Sequence, residues 1–218
     1  MKICQNNVII KGLITDSEII SGGSNQFSHF FREDMVKLTV VVRQNISPRS
    51  FKDLQTIVLA KIKDYNKFKK DSGEGKWISV SGELHTISSK NGYVYYVVAN
   101  QIGHFGDHTM YEEFGGEARY MGKAICRMSH SFNQDDANRE NSLNGKIINF
   151  VTEYGENFSA VAMRNFSRIN IEEGDVVKLD AKLMPPRSDD LLPYFSLKGA
   201  TKEYPFRGIN MVKEAAAV

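Results

Sequence analysis

Aromatic and cationic side chains occur together in the first half of this 218-residue sequence. Aromatic rings stack on nucleobases at about 1–3 kcal/mol per base, and they tolerate any base sequence because every base presents a π face. Lysine and arginine neutralise phosphates, so the combination is typical of proteins that hold a single nucleic-acid strand. The candidate contact residues are Phe30, Arg32, Lys37, Arg43, Arg49, Phe51, Lys52, Trp77, Tyr93 and Tyr95.

The charge distribution is more informative than the net charge, which is only +2 for the whole chain. Residues 1–110 contain 14 Lys or Arg and 10 Asp or Glu, a net charge of +4. Residues 111–218 contain 14 and 16, a net charge of −2. We therefore expect a positive surface in the first half. The alternative is an uneven surface charge without function.

Alternating hydrophobicity predicts the strands that position these side chains. Residues 36–43 alternate as in a strand with one face on a core, and residues 44–53 are expected to form a loop. Asn91-Gly92 predicts a hairpin before a last strand, 93–99. In that strand we expect Tyr93 and Tyr95 to face outward and Tyr96 to face inward.

Three other features have two interpretations each. Trp77 begins a strand and is expected on its outer face rather than in the core. Phe27, Phe30 and Phe31 suit either a nucleic-acid contact or an apolar lid on the fold. Residues 61–76 contain six lysines and a three-residue apolar spacing from Ile62 to Phe68, which predicts a short helix. Its lysines suit either phosphate contacts or a solvated face.

Several stretches, in order, resemble the bacterial single-stranded DNA-binding protein family. NVIIKGLITD (residues 7–16) is similar to the family's opening Asn-x-Val-x-Leu-x-Gly-x-Leu-Thr-x-Asp, GKWISVSGEL (75–84) to GxxVxVxGxLxT, and YVYYVVANQI (93–102) to YxxxVVAxxI. The resemblance covers residues 5–105. It implies an OB-fold, sequence-tolerant binding of single-stranded DNA and no catalysis. Family members usually assemble four OB-folds, so a chain with two would form a dimer.

The chain departs from the family at the usual stacking positions, which here hold Leu54, Ala60 and Ser88-Ser89. Binding is therefore expected to use other rings, such as Phe51, Tyr93 and Tyr95. Residues 205–218 do not form the acidic, aromatic-tipped tail through which family members recruit partners. This divergence suggests a phage- or plasmid-encoded version.

The second half repeats the pattern of the first. Gly75, Ile78, Val80 and Leu84 fall on Gly174, Val177, Leu179 and Leu183 with a constant offset of 99. Each run follows a strand and a helix-like connector and precedes a final strand, which indicates a duplicated five-strand unit. Five short strands with a connector after the third are the elements of an OB-fold.

We therefore predict an all-β protein of tandem OB-folds, five-stranded Greek-key barrels that each have a short connecting helix. The first, resembling the family, spans residues 1–106, and a linker spans 107–117. A second OB-like domain spans 118–204, and a C-terminal tail spans 205–218.

Enzymatic interpretations find little support. The sequence lacks a GxxxxGK[ST] phosphate loop and a GxSxG nucleophile elbow. His104, Asp107 and His108 lie in a glycine-flanked stretch, so a metal site is not expected, and no cofactor is predicted. Cys4 and Cys126 have no CxxC partner and are expected to be buried reduced thiols. No apolar run approaches the roughly 20 residues of a membrane span, and a cytoplasmic location is expected.

The leading hypothesis is a sequence-tolerant single-stranded DNA-binding protein that acts in DNA replication, recombination or transfer, as a homo-oligomer with a dimer favoured. The first alternative is an OB-fold protein-interaction module of a replication or conjugation assembly without its own DNA binding. A second is a binder of RNA or double-stranded DNA.

Overall fold

A computed structural model describes residues 6–23, 27, 32–47, 50–72, 77–90, 92–106, 111–113, 115–134, 143–163, 170–186 and 192–203. They form two compact units. The N-terminal unit comprises Asn6–Tyr120 and Leu183–Pro193. The C-terminal unit contains the described residues from 121 to 182 and from 194 to 203. Both units are OB-folds, which confirms the predicted all-β class.

The N-terminal unit contains five strands and one helix, listed in chain order as β1 (Asn6–Ile20), β2 (Met35–Ser47), β3 (Ser50–Lys61), α1 (Ile62–Ser72), β4 (Trp77–Ser89) and β5 (Gly92–His104). Strand β1 pairs antiparallel with both β2 and β4. The β2–β3 and β4–β5 pairs are also antiparallel, and β3 with β5 is parallel. The strands therefore close in the order β1-β2-β3-β5-β4, with the helix after β3 as in an OB-fold.

The barrel core is built from alternate residues of each strand. Val8, Ile10 and Ile14 of β1 are buried, whereas their neighbours along the strand are not. Directly paired residues share a face of the sheet, so the pairing of Ile10 with Val80 and of Ile14 with Val40 carries the inner face into β4 and β2. This alternation confirms the predicted core faces of β1, β2 and β4.

Gly12 stands where β1 passes close to the backbone of β2. A Cβ atom on Gly12 would lie 2.5 Å from the Val41 carbonyl oxygen. The register of β1 on β2 then shifts between Ile14 and Asp16. A bulge of this kind bends a strand and increases its twist, which lets β1 pair with β4 at one end and β2 at the other.

Strand β5 has the opposite orientation to the one predicted. Val97 pairs with Leu84 and with Val58, which are both core residues, so Val97 and Tyr95 belong to the inner face. Tyr96 is on the outer face, yet it is completely buried because the ring of Phe27 packs edge-on against it at 5.0 Å. Phe27 therefore acts as an apolar lid, the second of its two predicted interpretations.

Two predicted irregular segments are more ordered than expected. The expected loop 44–53 is mostly strand, since β2 continues to Ser47 and β3 starts at Ser50, with Arg43 paired to Asp53 and Asn45 to Phe51. In the predicted linker 107–117, the described residues pack on the N-terminal unit: the Gly116 N–H donates to the Arg43 carbonyl at 2.7 Å. Residues 107–110 and 114 lie outside the described residues.

The predicted helix is confirmed as α1, Ile62–Ser72. Phe68 is buried, and Tyr65 stacks on it with ring centroids 6.3 Å apart. An acidic residue in the first turn, Asp64, and the basic residues Lys69 and Lys70 in the last turn complement the helix dipole.

The C-terminal unit repeats the topology with β6 (Glu117–Gln134), β7 (Leu143–Thr152), β8 (Asn157–Met163), β9 (Val176–Met184) and β10 (Tyr194–Glu203), of which residues 117–120 and 183–184 belong to the N-terminal unit. Strand β8 pairs in parallel with β10, as β3 does with β5. Its core contains Phe150, Phe158 and Phe195, whose neighbouring rings are 5.5 and 5.4 Å apart. The predicted tail, 205–218, lies outside the described residues, and so do residues 164–169 of the segment between β8 and β9 in which the second connecting helix is predicted. The described part of that segment, 170–175, is not helical.

The apolar residues matched by the predicted repeat, at a constant offset of 99, are core residues in both copies. Val177 and Leu179 are buried like Ile78 and Val80, and β9 occupies the place in its barrel that β4 occupies in the first. Cys126 is a free, buried thiol as predicted, whereas Cys4 lies outside the described residues. Among the residues that the structure describes, no helix is long and apolar enough to cross a membrane.

Candidate nucleic-acid interface

The outer surface of the β2–β3 hairpin, named here the β2–β3 face, is the surface on which predicted contact residues come together. Residues on this face alternate with the core residues of both strands. OB-folds use this strand pair and the loops beside it to bind oligonucleotides. The face consists of Lys37, Thr39, Val41, Arg43 and Asn45 from β2, and Phe51, Asp53, Gln55 and Ile57 from β3.

Phe51 and Arg43 form a ring and a cation side by side at the end of this face. The Phe51 side chain is 38% exposed. Phe51 pairs with Asn45, which is two residues from Arg43. Phe51 and Arg43 are therefore diagonal neighbours, a position that places Cα atoms about 7–8 Å apart. This geometry lets a base stack on the ring while its phosphate meets the guanidinium.

Both predicted cations of the face are paired with carboxylates. Arg43 Nε donates to Asp53 Oδ1 at 3.4 Å, directly across the β2–β3 pair. Lys37 Nζ lies 2.5 Å from Glu18 Oε1, directly across the β1–β2 pair. The four side chains are between 25% and 53% exposed. Each cation of the face is therefore partly neutralised by a neighbouring carboxylate, which was not predicted from the sequence.

Such pairs can be exchanged at small cost. Exposed ion pairs contribute about 0–1 kcal/mol because water screens them and their side chains lose entropy. A phosphate oxygen can therefore replace the Asp53 or Glu18 carboxylate on the same cation. The pairing lowers the net attraction of the face for a polyanion and holds the cations in place.

The other predicted cations are distributed differently. Lys52 pairs with Gln44, a core position, and its Nζ donates to the Pro186 carbonyl at 2.6 Å, so it is not on the β2–β3 face. Arg32 is exposed in the segment before β2. Phe30 and Arg49 lie outside the described residues.

Trp77 stands apart from the β2–β3 face, in an aromatic cluster at the start of β4. Its ring lies 4.3 Å from that of Tyr111, edge to face, and Phe105 lies 6.2 Å from Tyr111. Trp77 is half-buried there, so it is less available for stacking than predicted.

Tyr111 links this cluster to β2. Its hydroxyl accepts from the Arg43 N–H at 2.8 Å and donates to the Val41 carbonyl at 3.1 Å. Burial raises the pKa of the Tyr111 hydroxyl, and the hydrogen bond from the Arg43 backbone opposes that rise. Sequence reasoning missed this residue because it lies in a glycine-bounded segment that looked like a linker.

The two predicted tyrosines of β5 do not form an exposed pair. Tyr95 is only 9% exposed and Tyr93 is half-buried. Tyr95 instead lines a cavity of about 290 Å³ beside the β2–β3 face. Gln55 and Thr39 also line it. Sequence reasoning missed both, because neutral polar residues on a strand carry no distinctive signal.

The described residues contain no cluster of three or more His, Cys, Asp or Glu side chains able to hold a metal ion. His104 is exposed at the end of β5, and Asp107 and His108 lie outside the described residues. Burial, first of all, raises the pKa of the Cys126 thiol, and the Asp175 carboxylate adds to the rise. Such a thiol is mostly protonated at neutral pH and has little nucleophilic character.

The fold and this face define the chain as a tandem OB-fold protein with an outward ring and cation on one barrel. The wild-type single-stranded DNA-binding protein from Thermus aquaticus superposes on it with a TM-score of 0.68 at 10% identity, over 94% of this chain and 95% of that one. A deletion mutant of the same Thermus aquaticus protein gives 0.66 at 10% identity, over 92% and 95%. Both are described as DNA-binding proteins, not as enzymes. No protein-family model and no curated protein matches the sequence.

Proposed function

We propose that this protein binds single-stranded DNA without strong sequence preference, through the β2–β3 face of its N-terminal unit, and catalyses no reaction. The observation that carries the proposal is the exposed Phe51 ring beside Arg43 on the strand pair that OB-folds use for oligonucleotides. A ring that accepts any base and a cation that accepts any phosphate recognise a single strand rather than a sequence.

The dimensions of the face suit a short stretch of strand. Lys37 and Arg43 are six residues apart on β2, which is about 20 Å at 3.3 Å per residue. OB-folds cover about 4–16 nucleotides each. A single strand lying along β2 therefore meets Lys37 at one end and the Arg43–Phe51 pair at the other.

The cellular role proposed for this activity is protection of exposed strands during DNA replication, recombination or transfer, in a phage- or plasmid-encoded setting and in the cytoplasm. We further propose a homodimer. Two chains with two OB-folds each would provide the four OB-folds that members of the family resembled by this sequence usually assemble. The Thermus aquaticus protein that shares this fold is itself described as a single-stranded DNA-binding protein, which supports the DNA-binding part of the proposal.

Fluorescence titration of labelled oligo(dT) with the full chain tests the binding. Affinity should fall with salt, with a slope of log K on log[salt] of about −0.7 for each phosphate contacted. Excess unlabelled single-stranded DNA should compete, whereas duplex DNA should compete poorly because its bases are not available for stacking. Absence of binding, or binding without salt dependence, would favour a protein-interaction module instead.

A further inference from the structure

A cavity of about 290 Å³ opens beside the β2–β3 face, where β3 and β5 separate. The parallel pairing of these strands runs from Ile57 and Tyr96 to Leu59 and Val98. Thr56 and Tyr95, one residue earlier on each strand, therefore lie at the opening, and both line the cavity. The gap leads from the outer surface of the hairpin towards the inner face of the barrel.

The cavity is bounded by apolar side chains from two parts of the N-terminal unit. Ile57, Val94 and Tyr95 come from the barrel strands. Leu183 is the penultimate residue of β9, and Leu192 and Pro193 follow that strand; all three belong to the N-terminal unit. The bond from Lys52 Nζ to the Pro186 carbonyl, 2.6 Å, ties the segment after β9 to β3. The cavity is therefore a slot with apolar walls on both sides.

Four polar residues, Lys37, Thr39, Gln55 and Thr56, also line the slot. Gln55, Thr39 and Lys37 reach it from the β2–β3 face. An amide and a hydroxyl can each donate and accept hydrogen bonds. The cation, Lys37, is already held by Glu18 at 2.5 Å. This lining suits a group with flat apolar faces and a donor–acceptor edge, and it does not suit a phosphate.

The volume fits one such group. An apolar cavity of about 150 Å³ holds a benzene molecule, and drug-sized ligands need about 300–1,000 Å³. A slot of about 290 Å³ has room for a one- or two-ring nucleobase and not for two bases with their backbone.

We propose that the slot takes one unstacked base from a single strand lying on the β2–β3 face, with the Gln55 amide bonding to the edge of that base. This inference rests on the proposed function and deepens it. Most of the strand is held without regard to sequence, and one position is read. Gln pairs with adenine through a donor and an acceptor side by side, so adenine is the base expected to gain most.

Two variants of the full chain test the slot. Leu192→Trp fills it from a residue outside the strands and should weaken oligo(dT) binding about tenfold, the loss expected for one base contact. Gln55→Ala should reduce the preference for oligo(dA) over oligo(dC) severalfold while the salt slope is unchanged. Gln101→Ala, which removes an exposed amide on β5 away from the slot, is the matched control and should behave as wild type.

The possible results separate this inference from the function on which it rests. If wild-type protein binds oligonucleotides and both slot variants bind every oligonucleotide as wild type does, the slot is not a base site and the proposed function stands. If wild-type protein binds no oligonucleotide, both are wrong. A single 2-aminopurine base in an oligo(dT) strand, an analogue of adenine, should change its emission on binding to wild type and change it much less on binding to Leu192→Trp.

Discussion

The two barrels share a topology but differ in the hairpin between their second and third strands. Each first strand has a register shift, between Ile14 and Asp16 in β1 and between Cys126 and Met128 in β6. Aligning these shifts places Lys37 on Ile147 and Thr39 on Asn149. On this alignment β7 and β8 turn at residues 153–156, where the β2–β3 hairpin continues for several more pairs.

The extension of the N-terminal hairpin carries the proposed contacts other than Lys37. Arg43, Asp53 and Phe51 all stand beyond the point at which the C-terminal hairpin turns. The corresponding outer face of β7 and β8 shows Ile147, Val161, and Asn149 bonded to Ser159 at 2.7 Å. None of these side chains is charged. Its turn exposes Tyr154 next to Glu153, an acidic neighbour unsuited to a phosphate.

On the proposed function, this difference would make the N-terminal barrel the binding module and leave the C-terminal barrel as a scaffold, although the two share one fold. Strand order and core alternation are the same in both. The two barrels differ in hairpin length and in their outward residues, which the core does not constrain and on which the proposed function depends.

The largest difference in oligo(dT) affinity is expected between variants that add negative charge to the β2–β3 face and variants that add it to the outer face of β7 and β8. Lys37→Glu with Arg43→Glu removes two phosphate contacts and adds repulsion, so we expect affinity for oligo(dT) to fall about a hundredfold at low salt. The salt slope should become shallower by about 1.4, which is 0.7 for each of two contacts. Fluorescence titration over a salt series measures both.

The matched control is Ile147→Glu with Asn149→Glu, which adds two acids to the equivalent face of the C-terminal unit. It should change affinity only a few-fold, through long-range charge. An equal loss in the two double variants would mean that net charge, and not the β2–β3 face, governs binding.

Truncating an exposed apolar residue on each face separates stacking from general hydrophobicity. Phe51 is 38% exposed and Ile147 is 39% exposed, so Phe51→Ala and Ile147→Ala remove similarly accessible side chains. We expect Phe51→Ala to weaken binding about tenfold, because one stacked base contributes about 1–3 kcal/mol. Ile147→Ala should have less than a twofold effect. Quenching of the titration signal would measure the difference, and equal effects would exclude stacking on Phe51.

The strands could be predicted from sequence because a one-sided core imposes alternation, as on β1 and β2. The orientation of β5 could not. Tyr95, Tyr96 and Val97 are all buried, since the barrel covers one face and Phe27 covers the other. When both faces of a strand are buried, alternation gives no information about which one points inward.

The site was partly predictable for a similar reason. Residue type alone was enough to propose Arg43 and Phe51 as candidates, because a guanidinium and an aromatic ring carry the chemistry in their side chains. Residue type could not identify Asp53 as the partner of Arg43, or Glu18 as the partner of Lys37, because those contacts depend on strand register. Register is set by pairing across the sheet and not by the local sequence.

Tyr111 should affect stability in the N-terminal unit only. Tyr111→Phe leaves the Arg43 N–H and the Val41 carbonyl without the hydroxyl they share, which should cost about 1 kcal/mol. Urea unfolding measures the loss. Tyr154→Phe, which alters an exposed ring of the C-terminal unit, should cost much less.

The difference in stability between wild type and Tyr111→Phe should depend on pH in one direction. Burial, opposed by the Arg43 hydrogen bond, raises the pKa of Tyr111 above its usual 10.0, so the folded state retains the proton after the unfolded state has lost it. The stabilisation is complete below pH 10 and is lost as pH rises through the raised pKa. Wild type and Tyr111→Phe should therefore converge at alkaline pH. A constant difference would show that the hydroxyl does not titrate in this environment.

Removing the carboxylate partner of Arg43 should give the smallest change in oligo(dT) affinity. The change should be a gain, whereas the other substitutions on the β2–β3 face should weaken binding. Asp53→Asn leaves Arg43 without its exposed ion pair, and because that pair contributes less than about 1 kcal/mol, affinity for oligo(dT) should rise only two- to threefold. The gain should vanish at high salt, where screening removes it. Glu203→Gln, which releases Lys123 from an ion pair of the C-terminal unit, should leave affinity unchanged. Tighter binding in both variants would mean that any added positive charge suffices, and weaker binding in Asp53→Asn would mean that the carboxylate is needed to orient Arg43.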